Sequence, residues 1–494
     1  MTFIIPPSPF LLDERVFMSL GILKVAAVVR ARGIACRVMD LSGVRNFMDV
    51  VEDVASDAPK GSLFAITATT PQFPAVYQIS NRLRQLKHKV ILGGPHPTLV
   101  MSAHKRGVPR AFGHAERVVE CSDTLVTGDG ELAIEKAIGL TEEGGGWVDA
   151  DDPKSGLFMS HAQFNDSLWP ARDMLEVDSY HYEIAGKRSL SVIGQLGCPM
   201  ACAFCSGRNS PTFRRIRLRS AANVVAEIEH LVKEYEIEGV MFYDDELNIN
   251  TAFTDLMTGL IDMQSRLGKE LVFRGFVKSE LFTDGHAKMM AQAGFKTLLS
   301  GFESGSPRIL ENINKKATMD DNTRCLDAAR KQGIHMKALM SIGHAGETED
   351  TILETRDWLL RVSPEDFDLT IITVLPGSPY FDASVRISDT HWTYTAKTGD
   401  RLHSIDVDYS QTMDYYKGVP GEYTSFVYTD GLSPKDVVAM RDRIDNEIRI
   451  KLGLSQLQPV AGRYYDHSMG QVPPFILKHH DELRGLLLRH KYQR

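Results

Sequence analysis

Cysteine is scarce in this chain, with six residues in 494. The N-terminus, Met1-Thr-Phe-Ile-Ile-Pro-Pro7, also lacks the basic region of a secretory signal. Together these features argue against a disulfide-built extracellular fold and lead us to expect a reducing, cytoplasmic compartment. No apolar run approaches the roughly 18 residues a membrane helix needs, so no membrane partner is expected. Nor is there an excess of positive charge. The net charge of −8 removes the broad electrostatic grip that nucleic-acid binding relies on, although Arg214, Arg215, Arg217 and Arg219 make one basic cluster. Such a cluster usually reads as a solvated face or as partners for nearby acids. Internal repeats and long low-complexity segments are missing too. With 43% hydrophobic and 24% charged residues the composition is that of a globular protein, and the length suits two or three domains.

Half of the scarce cysteine is concentrated in eight residues. Cys198, Cys202 and Cys205 are spaced Cys-x3-Cys-x2-Cys within Gly197-Cys-Pro-Met-Ala-Cys-Ala-Phe-Cys205. Three thiolates this close can hold three irons of a 4Fe-4S cluster and leave the fourth iron open to a small molecule. Structural zinc asks for four ligands, often as separated pairs, and no fourth Cys or His stands beside these three. Cys36, Cys121 and Cys325 are dispersed and read as small apolar residues, which leaves no material for a second cluster.

The first ~140 residues alternate short apolar runs with helical periodicity, the pattern of a parallel sheet with crossover helices. Strands are expected at Phe3–Ile5, Arg37–Leu41, Leu63–Thr67 and Lys89–Leu92, with a helix over 17–32. Thr67-Ala-Thr-Thr-Pro71 and Gly93-Gly94-Pro95-His96-Pro97 follow two of these strands, where ligands of open parallel sheets lie. Gly144–Gly146 with Asp149, Asp151, Asp152 and Pro153 reads as a linker. Strand–helix alternation then resumes with six strands: Ser189–Gln195, Gly239–Tyr243, Val272–Val277, Lys296–Gly301, His335–Ile342 and Phe367–Leu375. Their polar or Gly-rich ends are where barrel enzymes place chemistry, and the Cys loop sits at one of them. Ser220 is the expected N-cap of a helix that buries Val224, Val225, Ile228, Leu231 and Val232. Beyond residue 385 the sequence changes to aromatic and polar stretches (His391-Trp392-Thr-Tyr394, Tyr409, Tyr415-Tyr416) and a helical run, Pro434–Leu452.

The Cys motif resembles the signature of the radical S-adenosylmethionine (SAM) enzymes. Further segments resemble the class with an N-terminal cobalamin (B12)-binding domain: Gly93–Thr98, Gly128-Asp129-Gly130-Glu131, Trp169-Pro-Ala-Arg172-Asp173, Tyr243-Asp244-Asp245, Gly301-Phe302-Glu303-Ser304, Gly346-Glu347-Thr348 and Leu375-Pro-Gly-Ser-Pro379. The likeness covers roughly residues 1–385. It implies an α/β chain. A Rossmann-like domain of the cobalamin-binding type (1–140) and a linker (141–185) would lead into a partial (β/α)6 TIM-type barrel (186–385). A mixed C-terminal extension (386–494) would follow and help define the substrate. By the same resemblance Cys198, Cys202 and Cys205 hold the cluster and Phe204 lies near the adenine of SAM. Asp244, Asp245 or Glu246 meets the SAM amino group, and Glu303 and Ser304 approach its amino acid or ribose. Lys278 is a further candidate for the SAM carboxylate or the substrate. Thr67, Thr69, Thr70, Gly93, Gly94, Pro95, His96, Thr98 and Gly128 would form the cobalamin loops, with His96 read as a turn residue rather than an axial ligand.

The activity the resemblance implies is reductive cleavage of SAM at the cluster to a 5′-deoxyadenosyl radical, with an electron supplied by a donor such as flavodoxin or ferredoxin. Cobalamin would direct this toward methylation of an unactivated carbon, with a small molecule as the favoured substrate. The motif Asp-x-His-x-x-Gly, which supplies an axial histidine in many cobalamin domains, is missing, as it is in many members of this class. Cobalamin-dependent cyclisation or rearrangement, a cobalamin-free radical enzyme and a non-catalytic sensor are the alternatives.

Overall fold

The computed structural model describes residues 1–11, 13–415 and 424–454. Tyr416 and residues 455–494, part of the expected extension, lie outside the described residues. The N-terminal sheet comprises β1 (Thr2–Ile5), β2 (Arg37–Asp40), β3 (Leu63–Thr67), β4 (Lys89–Gly93), β5 (Thr124–Gly128) and β6 (Gly146–Ala150). All pairs are parallel, in the order β2-β1-β3-β4-β5-β6. The strands are apolar almost throughout because helices cover both faces. Leu20–Ala31 and Gly130–Glu142 bury Leu23, Ala26, Ala133 and Ile134 in one core. Phe47–Ser56, Phe73–Gln85 and Pro95–Lys105 bury Val51, Val76, Ile79 and Val100 in the other. The direction of winding reverses between β1 and β3, which opens a crevice at their carboxyl ends.

One expectation is corrected here. Residues 141–160 are not simply a linker, because Gly146–Ala150 forms β6 of this sheet. The glycines that suggested a linker make the turn into it. Gly145 has φ +95°, and a Cβ there would lie 2.2 Å from the Asp123 carbonyl oxygen.

The second sheet is a half-barrel. It contains β7 (Glu183–Ile184), β8 (Lys187–Val192), β11 (Gly239–Phe242), β12 (Val272–Phe276), β13 (Phe295–Glu303), β14 (His335–Ile342) and β15 (Asp366–Ile371). The order is β15-β14-β13-β12-β11-β8-β7, and all are parallel except the edge strand β7. A two-stranded antiparallel ribbon, β9 (Gln195–Leu196) with β10 (Arg217–Leu218), closes the base of the Cys loop. Ser220 caps helix Ala221–Tyr235 by accepting from the Asn223 N–H at 3.2 Å. Helix Pro434–Leu452 packs on β15 and on helix Glu349–Val362. It thereby supplies the sixth barrel helix, with Arg441 and Arg449 donating to the Leu369 and Phe367 carbonyls. Between β15 and that helix lies an antiparallel sheet of β16 (Val385–Arg386), β17 (His391–Thr395), β18 (Arg401–Ile405) and β19 (Val427–Tyr428). Arg110 of the N-terminal domain holds this sheet through Ser404 and Asp406, each at 2.9 Å. No helix among the described residues is long and apolar enough to cross a membrane.

Buried charges join the two large domains. Arg217 of β10 pairs with Asp129, just after β5, and both are nearly inaccessible. Asp151, following β6, accepts from Ser210 Oγ at 2.6 Å and the Thr212 N–H at 2.8 Å. Behind the Cys ribbon, Glu227 is bracketed by Arg172 (2.7 Å) and Arg219 (2.5 Å), all three buried. Two of the four arginines in the basic cluster are thus internal partners of acids. Removing one member of a buried ionic group strands the others without water. Glu227→Ala should therefore cost roughly 3–5 kcal/mol of stability, whereas the exposed pair Lys187–Glu238 should contribute less than about 1 kcal/mol. Urea unfolding of Glu227→Ala and Glu238→Ala checks this contrast.

Candidate active site

The carboxyl ends of both parallel sheets face one cavity of about 690 Å³. Loops after β1, β2, β3 and β4 line it from the N-terminal domain, and the Cys loop with the ends of β11, β13, β14 and β15 line it from the half-barrel. A second cavity of about 350 Å³ runs into the crevice of the N-terminal sheet. Pro95 and Tyr243 border both.

The Cys loop is held by its backbone. The Cys198 N–H donates to the Phe213 carbonyl (2.9 Å), the Ala203 N–H to Ile313 (2.8 Å), and the Tyr380 N–H to Ala203 (3.0 Å). Gly197 has φ +85°, and a Cβ there would lie 2.1 Å from the Arg215 carbonyl oxygen, so the loop can approach the ribbon only with glycine. All six cysteines are free. Cys202 is buried, while Cys205 opens into the large cavity. Burial pushes the Cys198 thiol up to about 11 and the Cys205 thiol up to about 12, and raises Cys202 as well. Thiolates in such a recess need a metal as counter-charge. Among the described residues no three His, Cys, Asp or Glu side chains converge as they would around a single ion. Three thiolates on one short loop, each free to take its own iron, fit a cluster better than zinc.

Glu303 reaches the large cavity from the end of β13. The pairing with β14 slips between Gly301 and Glu303, and Glu303 itself has φ +65°, a left-handed conformation costly for a residue with a Cβ. Its Oε1 lies 3.2 Å from Lys315 Nζ and its Oε2 accepts from Ser341 Oγ at 2.8 Å. Gly301 leaves room for this pair, since a Cβ there would be 2.4 Å from Glu303 Oε1. Lys315 is buried. Burial opposes its charge, but Glu303, Cys202 and Glu246 outweigh that and raise it above the usual lysine range. Phe204 lines the same cavity, its ring centroid 5.4 Å from that of His344. Asp245 borders the second cavity; burial pushes it up to about 6 against the Gly197 N–H. Burial likewise lifts Glu246 to about 7, with Lys315 and Lys278 pulling the other way.

Several expected contacts lie elsewhere. Asp244 lines neither cavity. Its Oδ1 accepts from the Gly194 N–H at 2.7 Å, fixing the entry to the Cys loop, and its buried Oδ2 has no hydrogen-bond partner. Ser304 turns toward helix Glu349–Val362, with its Oγ 3.1 Å from Thr355 Oγ1. Lys278 pairs with Glu280 at 2.9 Å and is buried away from both cavities. His96 likewise lines neither cavity. It is buried against the Phe73 ring with Nδ1 3.1 Å from Thr70 Oγ1, and burial lowers its pKa to about 3. The remaining loop residues do border the cavities, Thr69 and Thr70 the larger and Thr67, Gly93, Gly94, Thr98 and Gly128 the smaller. Thr98 Oγ1 donates to the Gly94 carbonyl (2.8 Å) and accepts from the Gly128 N–H (3.0 Å), stitching two of these loops together. Lys315, Ser341 and the wall formed by Phe10, Glu14, Phe17 and Met18 were not singled out from the sequence. The polar Ser341 inside the apolar β14 run was the one available signal for them.

Residues 192–359 match the radical SAM superfamily. An uncharacterized methyltransferase of Pyrococcus horikoshii is 26% identical over 385 residues, covering 74% of this chain and 78% of that protein. The anaerobic magnesium-protoporphyrin IX monomethyl ester cyclase of Rubrivivax gelatinosus is 26% identical over 344 residues, covering 65% of this chain and 58% of that one. Among solved structures, the radical SAM methyltransferase TsrM from Kitasatospora setae, with tryptophan and a SAM analogue bound, superposes with a TM-score of 0.66 at 16% identity. That match covers 99% of this chain and 98% of TsrM, and shows that the two share a fold.

The placement of Asp244 generates a test. Burial pushes its carboxyl up to about 7, outweighing the Gly194 and Gln195 N–H groups that favour the anion. A pKa raised from roughly 4 in the unfolded chain means that the stability contributed by the neutral form is whole at low pH and is lost as pH rises through 7. Asp244→Asn keeps the acceptor and removes the charge. Its melting temperature should fall less than that of the wild type between about pH 5 and about pH 8, with SAM cleavage retained. Parallel pH profiles, or loss of SAM cleavage, would contradict this placement.

Proposed function

We propose that the protein is a cobalamin-dependent radical SAM methyltransferase acting on an unactivated carbon of a small molecule held in the larger cavity. The observation that carries this reading is the convergence of the Cys loop and the N-terminal loops on one space. A cofactor bound to the sheet and SAM bound at the cluster would meet there. Cys198, Cys202 and Cys205 would hold the cluster, and Phe204 and Glu303 would border SAM. The narrow cavity at the β1–β3 crevice, walled by Val25, Ala65, Ile91, Val126 and Ile134, suits the nucleotide tail of cobalamin. Thr69 and Thr70 face the larger cavity, where the macrocycle would lie. When bound, the cluster supplies the electron that cleaves SAM and cobalamin supplies a carrier for the methyl group. The chain's part is to position these groups and exclude water. TsrM has also been solved with cobalamin and a 4Fe-4S cluster bound, which supports the assignment of both groups. A one-electron donor such as flavodoxin or ferredoxin would feed the cluster. Cyclisation is the second reading, favoured by the likeness to the Rubrivivax cyclase.

Anaerobic reconstitution with iron, sulfide and hydroxocobalamin, followed by desalting, tests the assignment. The wild type should retain about four irons and one cobalt, while Cys202→Ala should keep cobalt and lose the cluster. Dithionite with SAM and a substrate should give one S-adenosylhomocysteine and one 5′-deoxyadenosine for each methylated product. A cluster without retained cobalt would overturn the cobalamin assignment, and 5′-deoxyadenosine without S-adenosylhomocysteine would favour cyclisation.

A further inference from the structure

Behind Glu303 lies a chain of hydrogen bonds that the assigned reaction does not use. Ser341 Oγ donates to Glu303 Oε2 at 2.8 Å and lies 2.9 Å from His344 Nε2. The other ring nitrogen, His344 Nδ1, is 3.3 Å from the Tyr380 hydroxyl. His344 is fully buried and Tyr380 almost so. The directions follow from the chemistry of the groups. A carboxylate can only accept, so the Ser341 proton points at Glu303. Ser341 must then accept from His344 Nε2–H, which fixes the tautomer and leaves Nδ1 to accept from Tyr380. Burial lowers the histidine to about 4, so the ring is neutral, as this arrangement requires. The Tyr380 N–H holds the Ala203 carbonyl between Cys202 and Phe204. His344 also packs its ring against Phe204. One imidazole therefore connects the strained carboxylate at the end of β13 to the backbone of the Cys loop.

We propose that His344 is a positioning residue that orients the Glu303 carboxylate relative to the Cys loop, setting how tightly SAM is held at the cluster. This rests on the reading of Glu303 as a SAM contact. Ser341 and Lys315 grip the two carboxylate oxygens from different sides. Losing the Ser341 grip would let the side chain relax from the geometry that its left-handed backbone imposes.

The test uses reconstituted holoenzyme and three variants: His344→Gln, whose amide N–H reaches the place of Nε2–H, His344→Phe, which keeps the ring but not the donor, and Ser341→Ala, which cuts the chain without touching the histidine. The readouts are the EPR spectrum of the dithionite-reduced cluster with and without SAM, and the SAM concentration at half-maximal spectral change. All four proteins should give the same spectrum without SAM. His344→Phe and Ser341→Ala should need roughly tenfold more SAM, about the effect of losing a hydrogen bond to a charged group, while His344→Gln should stay within about twofold of wild type. Equal SAM response in wild type, His344→Phe and Ser341→Ala would overturn the proposal, as would equal impairment of His344→Gln and His344→Phe. A wild-type spectrum indifferent to SAM would remove the reading of Glu303 itself and the proposal with it.

Discussion

Buried pairing of guanidinium groups with carboxylates is the constraint on which the rest of this structure depends. Arg217 with Asp129, and Arg172 and Arg219 with Glu227, sit where the Cys ribbon meets the N-terminal sheet and the first barrel helix. Taking such charges out of water is expensive, and their mutual attraction only roughly repays the cost. Their effect is on geometry. A guanidinium that must find its carboxylate tolerates little sliding, so β10 is held in one position against the loop after β5. That position brings the carboxyl ends of two separate parallel sheets to face each other across one cavity.

Around the Cys loop the local chemistry is biased in one direction. Burial raises the thiols of Cys198, Cys202 and Cys205 and the carboxyls of Asp245 and Glu246. Each of these groups is costly as an anion in the protein alone. Iron and a sulfonium cation are the charges that would relieve that cost. Lys315 partly offsets it from behind the wall, where it also holds Glu303. The left-handed backbone of Glu303 belongs to the same design. A strained residue persists only when its surroundings over-determine it, and here a register slip, a glycine two residues earlier, a lysine and a serine all do so.

Much of this was legible in the sequence because it is local. The first four strands of the N-terminal sheet and the six main strands of the half-barrel follow from short apolar runs bounded by turn residues, and the Ser220 cap and the Cys loop follow from residue type and spacing. The errors have physical causes. Gly144–Gly146 reads as a linker by composition, yet the close approach of Gly145 to Asp123 makes it the entry to β6. Helix Pro434–Leu452 is plain from its periodicity. Its role as the sixth barrel helix depends on a return of the chain across an intervening sheet, which no local pattern records. Asp244, Ser304 and His96 stand at strand ends or helix starts beside true cavity residues, and only their rotation decides whether they face the cavity or the core. Lys315 matters through Glu303, twelve residues earlier on another element, and His344 joins Ser341 nearby to Tyr380 far along the chain, a link that no local pattern records.

The central claim is that a cobalamin on the N-terminal sheet and an iron–sulfur cluster on the half-barrel share one cavity. The most direct measurement is EPR of protein loaded with both groups, recorded with the cobalt as Co(II) and the cluster reduced, beside samples in which only one is paramagnetic. Proximity predicts a cobalt signal that is broadened or relaxes faster when the cluster is reduced. A spectrum that is the simple sum of the two isolated centres would contradict the account.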